Sequence, residues 1–451
     1  MYTGPIISVI CIVIVATLLV RKYYPHAVLL IGGMVMLVLA HYLSDNEPFP
    51  QSSGFIGFDA FKAIKDSFVY TNSHVGLMIM AIGGFVAYID KIGASSSLVY
   101  LAMKPLKLFR KQPYLAASLT IPIGQLLFIC IPSAAGLGLL LMASVFPILV
   151  NLGVSRLSAV SVITASTALC LGPASPTTVA STAIMEMDVI AYFVSYQIPL
   201  VIPLTLLLMG VYFFVNRYYD RKHQLLAKEE KTGELVLTAP LFYAIIPILP
   251  MILLILFSDA LDVFGFQISI DTTTAMFFSL FVAVIMEAIR KKSFKESLKR
   301  ITVFWSGMGD IFKTVVTLII AADIFSQGLI QLGFIDGLID LTQHLGFGAQ
   351  GIGFVMAFMI FLAAMLMGSG NAAFFAFGPL IPNLASKLGI HSVSILLPMQ
   401  FSATLGRTVS PVSGILLAAA EVAKVDVLSL VKRNLIPVAT TLIVMLIYQF
   451  V

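Results

Sequence analysis

The chain has 451 residues, 59% of them hydrophobic and only 11% charged, with a mean hydropathy of +1.01. That balance excludes a soluble globular domain and indicates a polytopic helical membrane protein. The net charge of +5 comes without a basic, aromatic-interleaved patch, and Cys11, Cys130 and Cys170 stand isolated in apolar runs, so nucleic-acid binding, a disulfide framework and a cysteine metal site are not expected.

The first span is predicted over Pro5–Val20, read as a retained helix rather than a signal peptide, and is followed by Arg21-Lys22. His26–Ser44 is the second span, Asp45–Ser73 a polar loop, and His74–Asp90 the third span. Gly93–Phe109 is amphipathic and ends in Lys104, Lys107, Arg110 and Lys111, as expected of a helix lying in the interface. Pro113–Val150 is too long for one span and is interrupted at Ile131–Gly136, which predicts a re-entrant hairpin with arms shorter than a crossing. Ser158–Met185 is broken at Gly172–Thr178, and Ile190–Val215 is a further span. Arg217–Leu237 is the long hydrophilic run that divides the chain nearly in half.

The second half begins with spans at Ala239–Phe257 and Thr272–Ile289, separated by a short loop, Ser258–Asp271. A basic loop follows at Arg290–Arg300, then an apolar run from about Ile311 to Leu329 and an amphipathic piece at Phe334–His344. Gly351–Leu384 is interrupted at Gly368–Asn371, Val393–Ala423 at Gly406–Pro411, and Leu435–Val451 is the last span. The order of the first half is thus repeated. Phe146–Val160 resembles Ile381–Ile395, Ser175-Pro176 matches Ser410-Pro411, and Met187-Asp188-Val189 matches Val425-Asp426-Val427. The predicted fold is an all-α membrane protein of two inverted repeats, 1–216 and 238–451, joined by a cytoplasmic linker, 217–237. Each repeat holds five transmembrane helices and one re-entrant hairpin (113–150 and 351–386), with broken helices at 158–185 and 393–423. Scaffold spans are placed at 5–44 and 239–289.

Charge placement gives the orientation. With Arg21-Lys22 inside, 22 of the 27 Lys and Arg fall in cytoplasmic segments (21–22, 91–111, 156, 217–231, 290–300 and 424–433). Both termini are then external. Inverted repeats with discontinuous helices meeting near the midplane are an architecture of secondary transporters.

A broken helix in a bilayer survives only where it is buried in protein or lines a wet cavity. Its helix N-termini carry unpaired N–H groups and partial positive charge, a ready anion site. Around the four interruptions lie Ser133, Ser175, Thr177, Thr178, Ser369, Gly370, Asn371, Thr408, Ser410 and Ser413. Gly136, Gly172, Pro173, Pro176, Gly368, Gly406 and Pro411 are expected to shape the backbone there. Arg407, an intramembrane cation, can grip a carboxylate through two N–H bonds. Two such corners suit a substrate with a carboxylate at each end. Asp323, with Gln327 one turn on, is a candidate coupling acid, to be weighed against simple pairing with a polar neighbour. Gln125 divides evenly between site and packing. No His or Lys base stands by a serine at the breaks and no P-loop is present, so neither an intramembrane hydrolase nor an ATP-driven pump is expected.

At Met367–Ala372, Leu405–Gly414, Ala135–Met142 and Val431-Lys432-Arg433 the chain resembles the DcuC-type anaerobic C4-dicarboxylate carriers, of the wider superfamily that includes the divalent-anion/sodium symporters. The resemblance covers essentially the whole chain. It implies exchange, uptake or efflux of succinate, fumarate and malate across the bacterial inner membrane, without a cofactor, with Na+ or H+ as a candidate coupling ion. It further implies a homodimer and an elevator-like movement of the hairpin part. The first break reads Ser175-Pro176-Thr177-Thr178 where the family often has an acid after Ser-Gly, and Ala373 stands where a proline commonly follows Asn-Ala. The first departure touches the expected site and bears on substrate and coupling ion, not on the fold. The alternatives are a carrier of another small organic anion or amino acid on the same fold, and an ion/proton antiporter or channel.

Overall fold

The computed structural model describes residues 3–43, 49, 53–109, 111–222, 237, 239–257, 270–344 and 348–450, and all regular structure among them is helical. The first half contains α1 (Thr3–Val20), α2 (Pro25–Leu43), α3 (Ile56–Lys91), α4 (Ala94–Met103), α5 (Pro113–Cys130), α6 (Ala134–Asn151), α7 (Arg156–Ala165), α8 (Pro176–Met185) and α9 (Val189–Lys222). The second contains α10 (Leu241–Leu256), α11 (Thr272–Lys291), α12 (Phe294–Gln331), α13 (Phe334–His344), α14 (Ala349–Met367), α15 (Gly370–Phe377), α16 (Ile381–Leu388), α17 (Val393–Thr408), α18 (Gly414–Ala423) and α19 (Val427–Phe450). Eight of these helices are long and apolar enough to cross a membrane, or up to nine if the bent pair α12–α13 is one span. Continuous helices are what an apolar chain needs in lipid, because every backbone group is then satisfied internally.

Local chemistry repeats between the halves. α8 and α18 end on left-handed residues, Glu186 and Lys424, with φ of 51° and 52°. α9 and α19 then begin on aspartate caps. Ala191 N donates to Asp188 Oδ1 and Ser429 N to Asp426 Oδ2, both at 2.8 Å. Each satisfies a helix-end donor that would otherwise be orphaned.

Several expected boundaries move. The loop expected over Asp45–Ser73 is largely helix, since α3 starts at Ile56 and runs 36 residues. Lys62, Lys65 and Asp66 dilute its apolar average, yet Asp59, Ala60, Ser67 and Thr71 keep one buried face. α12 likewise starts at Phe294, well before Ile311. Both long helices carry a π-turn mid-way, Asn72–Gly76 and Phe312–Val316, and these turns lie against each other. Arg217–Lys222 are the last turns of α9 rather than linker. The remainder of that linker, 223–236, lies outside the described residues, as do Ser44 at the end of the expected second span and 45–48, 50–52 and 258–269 of the expected loops. The arms of the first hairpin, α5 and α6, have 18 residues each. At about 1.5 Å per residue each is as long as a crossing.

One large core joins α5–α9 to α14–α19 and extends to α1, α2 and the second part of α12. A second core joins the latter part of α3 to α10, α11 and the first part of α12, and touches the first break at Ala174 and α8 at Val179. Close helix approach depends on small residues, as in membrane bundles generally. A methyl group at Gly84, for example, would lie 2.8 Å from Phe304 O.

Candidate functional site

The four interruptions come together. The two hairpin tips are built alike. Ser133 and Ser369 sit at φ/ψ of −124°/107° and −134°/112°, and each caps the next helix by accepting from a backbone N–H: Gly136 N at 3.1 Å, Ala372 N at 3.2 Å. The helices beyond the breaks also start alike. Ser175 (−72°/132°) and Ser413 (−66°/125°) precede α8 and α18, and neither side chain caps its helix.

Backbone contacts hold the parts in register. Gly368 has φ +72°, and a methyl group on it would stand 2.7 Å from Val412 O. A methyl group on Gly370 would stand 2.9 Å from Ala403 O. The second tip therefore lies directly on the second break. Gly172, at φ +109°, packs on Ile129 at the end of α5, so the first break lies against the first hairpin. A side chain on Gly138 would overlap Ile415, which puts the first turns of α6 and α18 side by side. The N-termini of α6, α15 and α18 thus meet at the second break, each with partial positive charge.

Both breaks fall at other residues than the sequence suggests. α7 already stops at Ala165, and the first break runs from Ser166 to Ser175. The hydroxyls of Thr164, Ser166 and Thr167 bond to carbonyls three or four residues back, which competes with the helical ladder, and Ser166 Oγ also reaches Thr120 O on α5 at 3.1 Å. α17 in contrast continues through Gly406 and Arg407 to Thr408, and the break is Val409–Ser413. Gly406 does not interrupt the helix. It clears the Phe361 carbonyl, which any side chain there would overlap. Gly136 lies inside the first turn of α6, and Pro176 is the first residue of α8, where its missing N–H costs nothing.

Arg407 bridges the two breaks. Its Nη2 donates to Thr167 O at 2.5 Å and lies 3.5 Å from Cys170 Sγ, while its buried Nε has no partner among the described residues. The buried hydroxyl of Ser413 is unpartnered too, and half-buried Asn371 makes no hydrogen bond to the described residues. Other expected ligands are engaged internally. Thr408 Oγ1 donates to Thr404 O at 2.9 Å, and Ser410 Oγ accepts from Val412 N at 3.3 Å. Thr177 and Thr178 are fully buried and accept from Gln400 Nε2 at 3.1 and 3.0 Å. Ser175 pairs with Thr177 at 3.2 Å. The two breaks are therefore chemically unlike: the first is satisfied from within, the second retains unpaired donors.

The bracing residues escape a reading of the sequence. Gln197 Oε1 accepts from Gly172 N at 3.1 Å, and Gln400 Oε1 accepts from Tyr192 OH at 2.9 Å. Asn434 Nδ2 donates to Thr408 O at 3.1 Å and to Thr164 Oγ1 at 3.2 Å. Next to it Arg433 pairs with Asp220 at 2.9 Å, and both are buried. The available signal was a lone amide or charge inside an apolar run. Asp90, at the end of α3, places its Oδ2 near the first tip, 3.9 Å from where a methyl group on Gly136 would stand. Asp323 lies elsewhere. Its Oδ2 accepts from Ser67 Oγ at 2.7 Å and Gln327 Nε2 at 2.8 Å, between α3 and α12. Gln125 Oε1 accepts from Thr205 Oγ1 at 2.5 Å, a contact between α5 and α9.

Comparison with known proteins agrees with this architecture. A family model described as C4-dicarboxylate anaerobic carrier, DcuC, matches residues 4–451. The chain is 34% identical over 444 residues to the anaerobic C4-dicarboxylate transporter DcuC of Escherichia coli K12, covering 98% of this chain and 95% of that one. It is 32% identical over 434 residues to the probable anaerobic C4-dicarboxylate transporter DcuC of Vibrio cholerae, covering 95% and 93%. Among solved structures, the YdaH transporter of Alcanivorax borkumensis aligns with a TM-score of 0.65 at 13% identity, covering 95% of this chain and 98% of that one. MtrF of Neisseria gonorrhoeae, which represents a class of antimetabolite efflux pumps, aligns with a TM-score of 0.66 at 13% identity, covering 95% and 94%. At that identity the likeness is one of fold.

Proposed function

We propose that this chain, which belongs to the DcuC family of C4-dicarboxylate anaerobic carriers, moves succinate, fumarate and malate across the bacterial inner membrane as a secondary transporter. The observation that carries the site is the second break. The open Nε of Arg407, the unpartnered Ser413 hydroxyl and the uncommitted Asn371 meet there with the N-termini of α6, α15 and α18. A carboxylate answers all of these donors, and Arg407 can hold it with paired N–H bonds. The second carboxylate of the substrate is assigned to the tips, at Ser133 and Ser369–Asn371.

In this reading the halves 1–216 and 238–451 are inverted repeats, each hairpin returns to the side from which it entered, and the hairpin part slides against the scaffold as an elevator. The repeated order of elements and the twin aspartate caps support the repeat. The Lys and Arg distribution supports external termini and a cytoplasmic 217–237 segment. A homodimer follows from the superfamily resemblance. Transport is coupled to Na+ or H+ or runs as pure exchange, with Asp90 and Asp323 the acids to test. A second reading, another small organic anion on the same fold, draws on the first break, whose hydroxyls are occupied by Gln400.

Succinate exchange in proteoliposomes, with fumarate, malate, aspartate and a monocarboxylate as competitors and with or without a sodium gradient, tests the assignment. Saturable exchange blocked only by C4-diacids is expected. Block by the monocarboxylate as well would transfer the site to the second reading.

A further inference from the structure

We propose that Gln400 is a positioning residue for substrate binding: it fixes the turn on which Arg407 rests, and so sets where the guanidinium stands when the anion arrives. The inference rests on reading Arg407 as the carboxylate ligand. Gln400 and Arg407 are seven residues apart on α17, two helical turns, and so share one face. Both reach across to the first half. Gln400 Nε2 donates to Thr177 and Thr178 and approaches Cys170 O at 3.4 Å; Arg407 donates to Thr167 O and approaches Cys170 Sγ. Cys170 is thus touched by both.

The turn from Ser166 to Ser175 has no helical ladder to define it. From outside the turn it is held by Gln400 through Cys170 O, by Thr120 O, which accepts from Ser166 Oγ at 3.1 Å, and by Gln197, whose Oε1 takes Gly172 N and whose Nε2 donates at 2.9 Å to Thr178 Oγ1 in the first turn of α8. Gln400 ties these together, because its Oε1 accepts from Gln197 Nε2 at 3.2 Å and from Tyr192 OH. The amide is needed in this orientation. Flipped, its oxygen would face the Cys170 carbonyl and its NH2 would face that of Gln197. A residue with donors on one side and an acceptor on the other is therefore required at 400, inside a site with no exposure to solvent.

The consequence is a competition. A carboxylate that recruits Arg407 draws it from Thr167 O, and the ease of that exchange depends on where the turn stands. Without Gln400 the turn shifts and Arg407 shifts with it, so substrate affinity should suffer more than turnover.

The test is succinate exchange by the purified full chain in proteoliposomes, with thermal unfolding of each variant measured alongside. Gln400→Ala is expected to raise KM about tenfold while the maximal rate stays within about threefold. Gln400→Glu supplies a donor only when protonated. Its KM deficit, taken relative to the unsubstituted protein at each pH, is expected to shrink as pH falls from about 8 to about 5.5, as a buried carboxyl regains its proton. A folded Gln400→Ala with an unchanged KM overturns the proposal, as does a Gln400→Glu deficit that is flat with pH. Should Gln400→Ala fail to fold, the pH profile of Gln400→Glu decides alone. Arg407→Lys separates the premises: an unchanged KM there removes the carboxylate reading itself, whereas a raised KM there beside an unchanged one in Gln400→Ala removes only the role of Gln400.

Discussion

Arg407 Nη2 donates to the carbonyl oxygen of Thr167 at 2.5 Å, so the intramembrane cation of the second broken helix rests on the backbone of the first. The guanidinium is held by a neutral carbonyl and a thiol rather than by an acid, and its Nε remains without a partner among the described residues. Its charge is therefore not cancelled by these contacts, which is the condition for attracting an anion.

Arg407→Lys is expected to keep the protein inserted but to weaken succinate binding. Lysine cannot present two parallel N–H donors, and a hydrogen bond to a charged group contributes about 1.5–3 kcal/mol. The KM for succinate should rise by roughly ten- to a hundredfold. Exchange kinetics in proteoliposomes, normalised to folded protein, check this.

Gly406→Ala should damage the fold rather than the chemistry. The new methyl group overlaps the Phe361 carbonyl on α14, and backbone cannot yield as a flexible side chain can. Overpacking of this kind costs about 1–3 kcal/mol or more. The expected result is a lower unfolding temperature in detergent, and the same rate per folded molecule.

Removing one partner of the buried Arg433–Asp220 pair should be more costly than removing both. Arg433 Nη1 also donates to Ser158 Oγ at 2.8 Å and to Asn216 Oδ1 at 3.1 Å, so an unpaired Asp220 would be left charged among neutral groups. Breaking such a pair costs about 3–5 kcal/mol, whereas replacing both ions with well-packed apolar side chains is often near neutral, and a pair of neutral amides at least leaves no buried charge. Folded yield should fall for Arg433→Gln alone and recover in part with Asp220→Asn.

Asp323→Asn should leave succinate exchange within about twofold of the starting rate, since an amide oxygen can still accept from Ser67 and Gln327. Loss of exchange in the folded variant would return Asp323 to the coupling role, and its pH profile would then identify the proton.

Much of the architecture was legible along the chain. The spans, the two hairpins, the paired breaks and the matching Asp188 and Asp426 segments could be read because a bilayer penalises any unsatisfied backbone and because helix periodicity and capping are local. The amphipathic helix at Ile56–Thr71 was missed for a related reason. Its charges lower the average hydropathy, and only the period reveals its buried face.

What only the tertiary structure decided is which polar groups answer one another. Thr177 and Thr178 have the composition of ligands, yet Gln400, more than two hundred residues away, takes their oxygens. Gly406 looks like a break and is a contact, since its neighbour Phe361 comes from another helix. The sequence by itself determined that the chain is a series of apolar helices and that their continuity fails in four regions, while the residues at which it fails were set by packing. The fold determined which of those failures is closed by a partner and which stays open to an anion, because a hydrogen bond between distant residues leaves no trace in either one's surroundings along the chain.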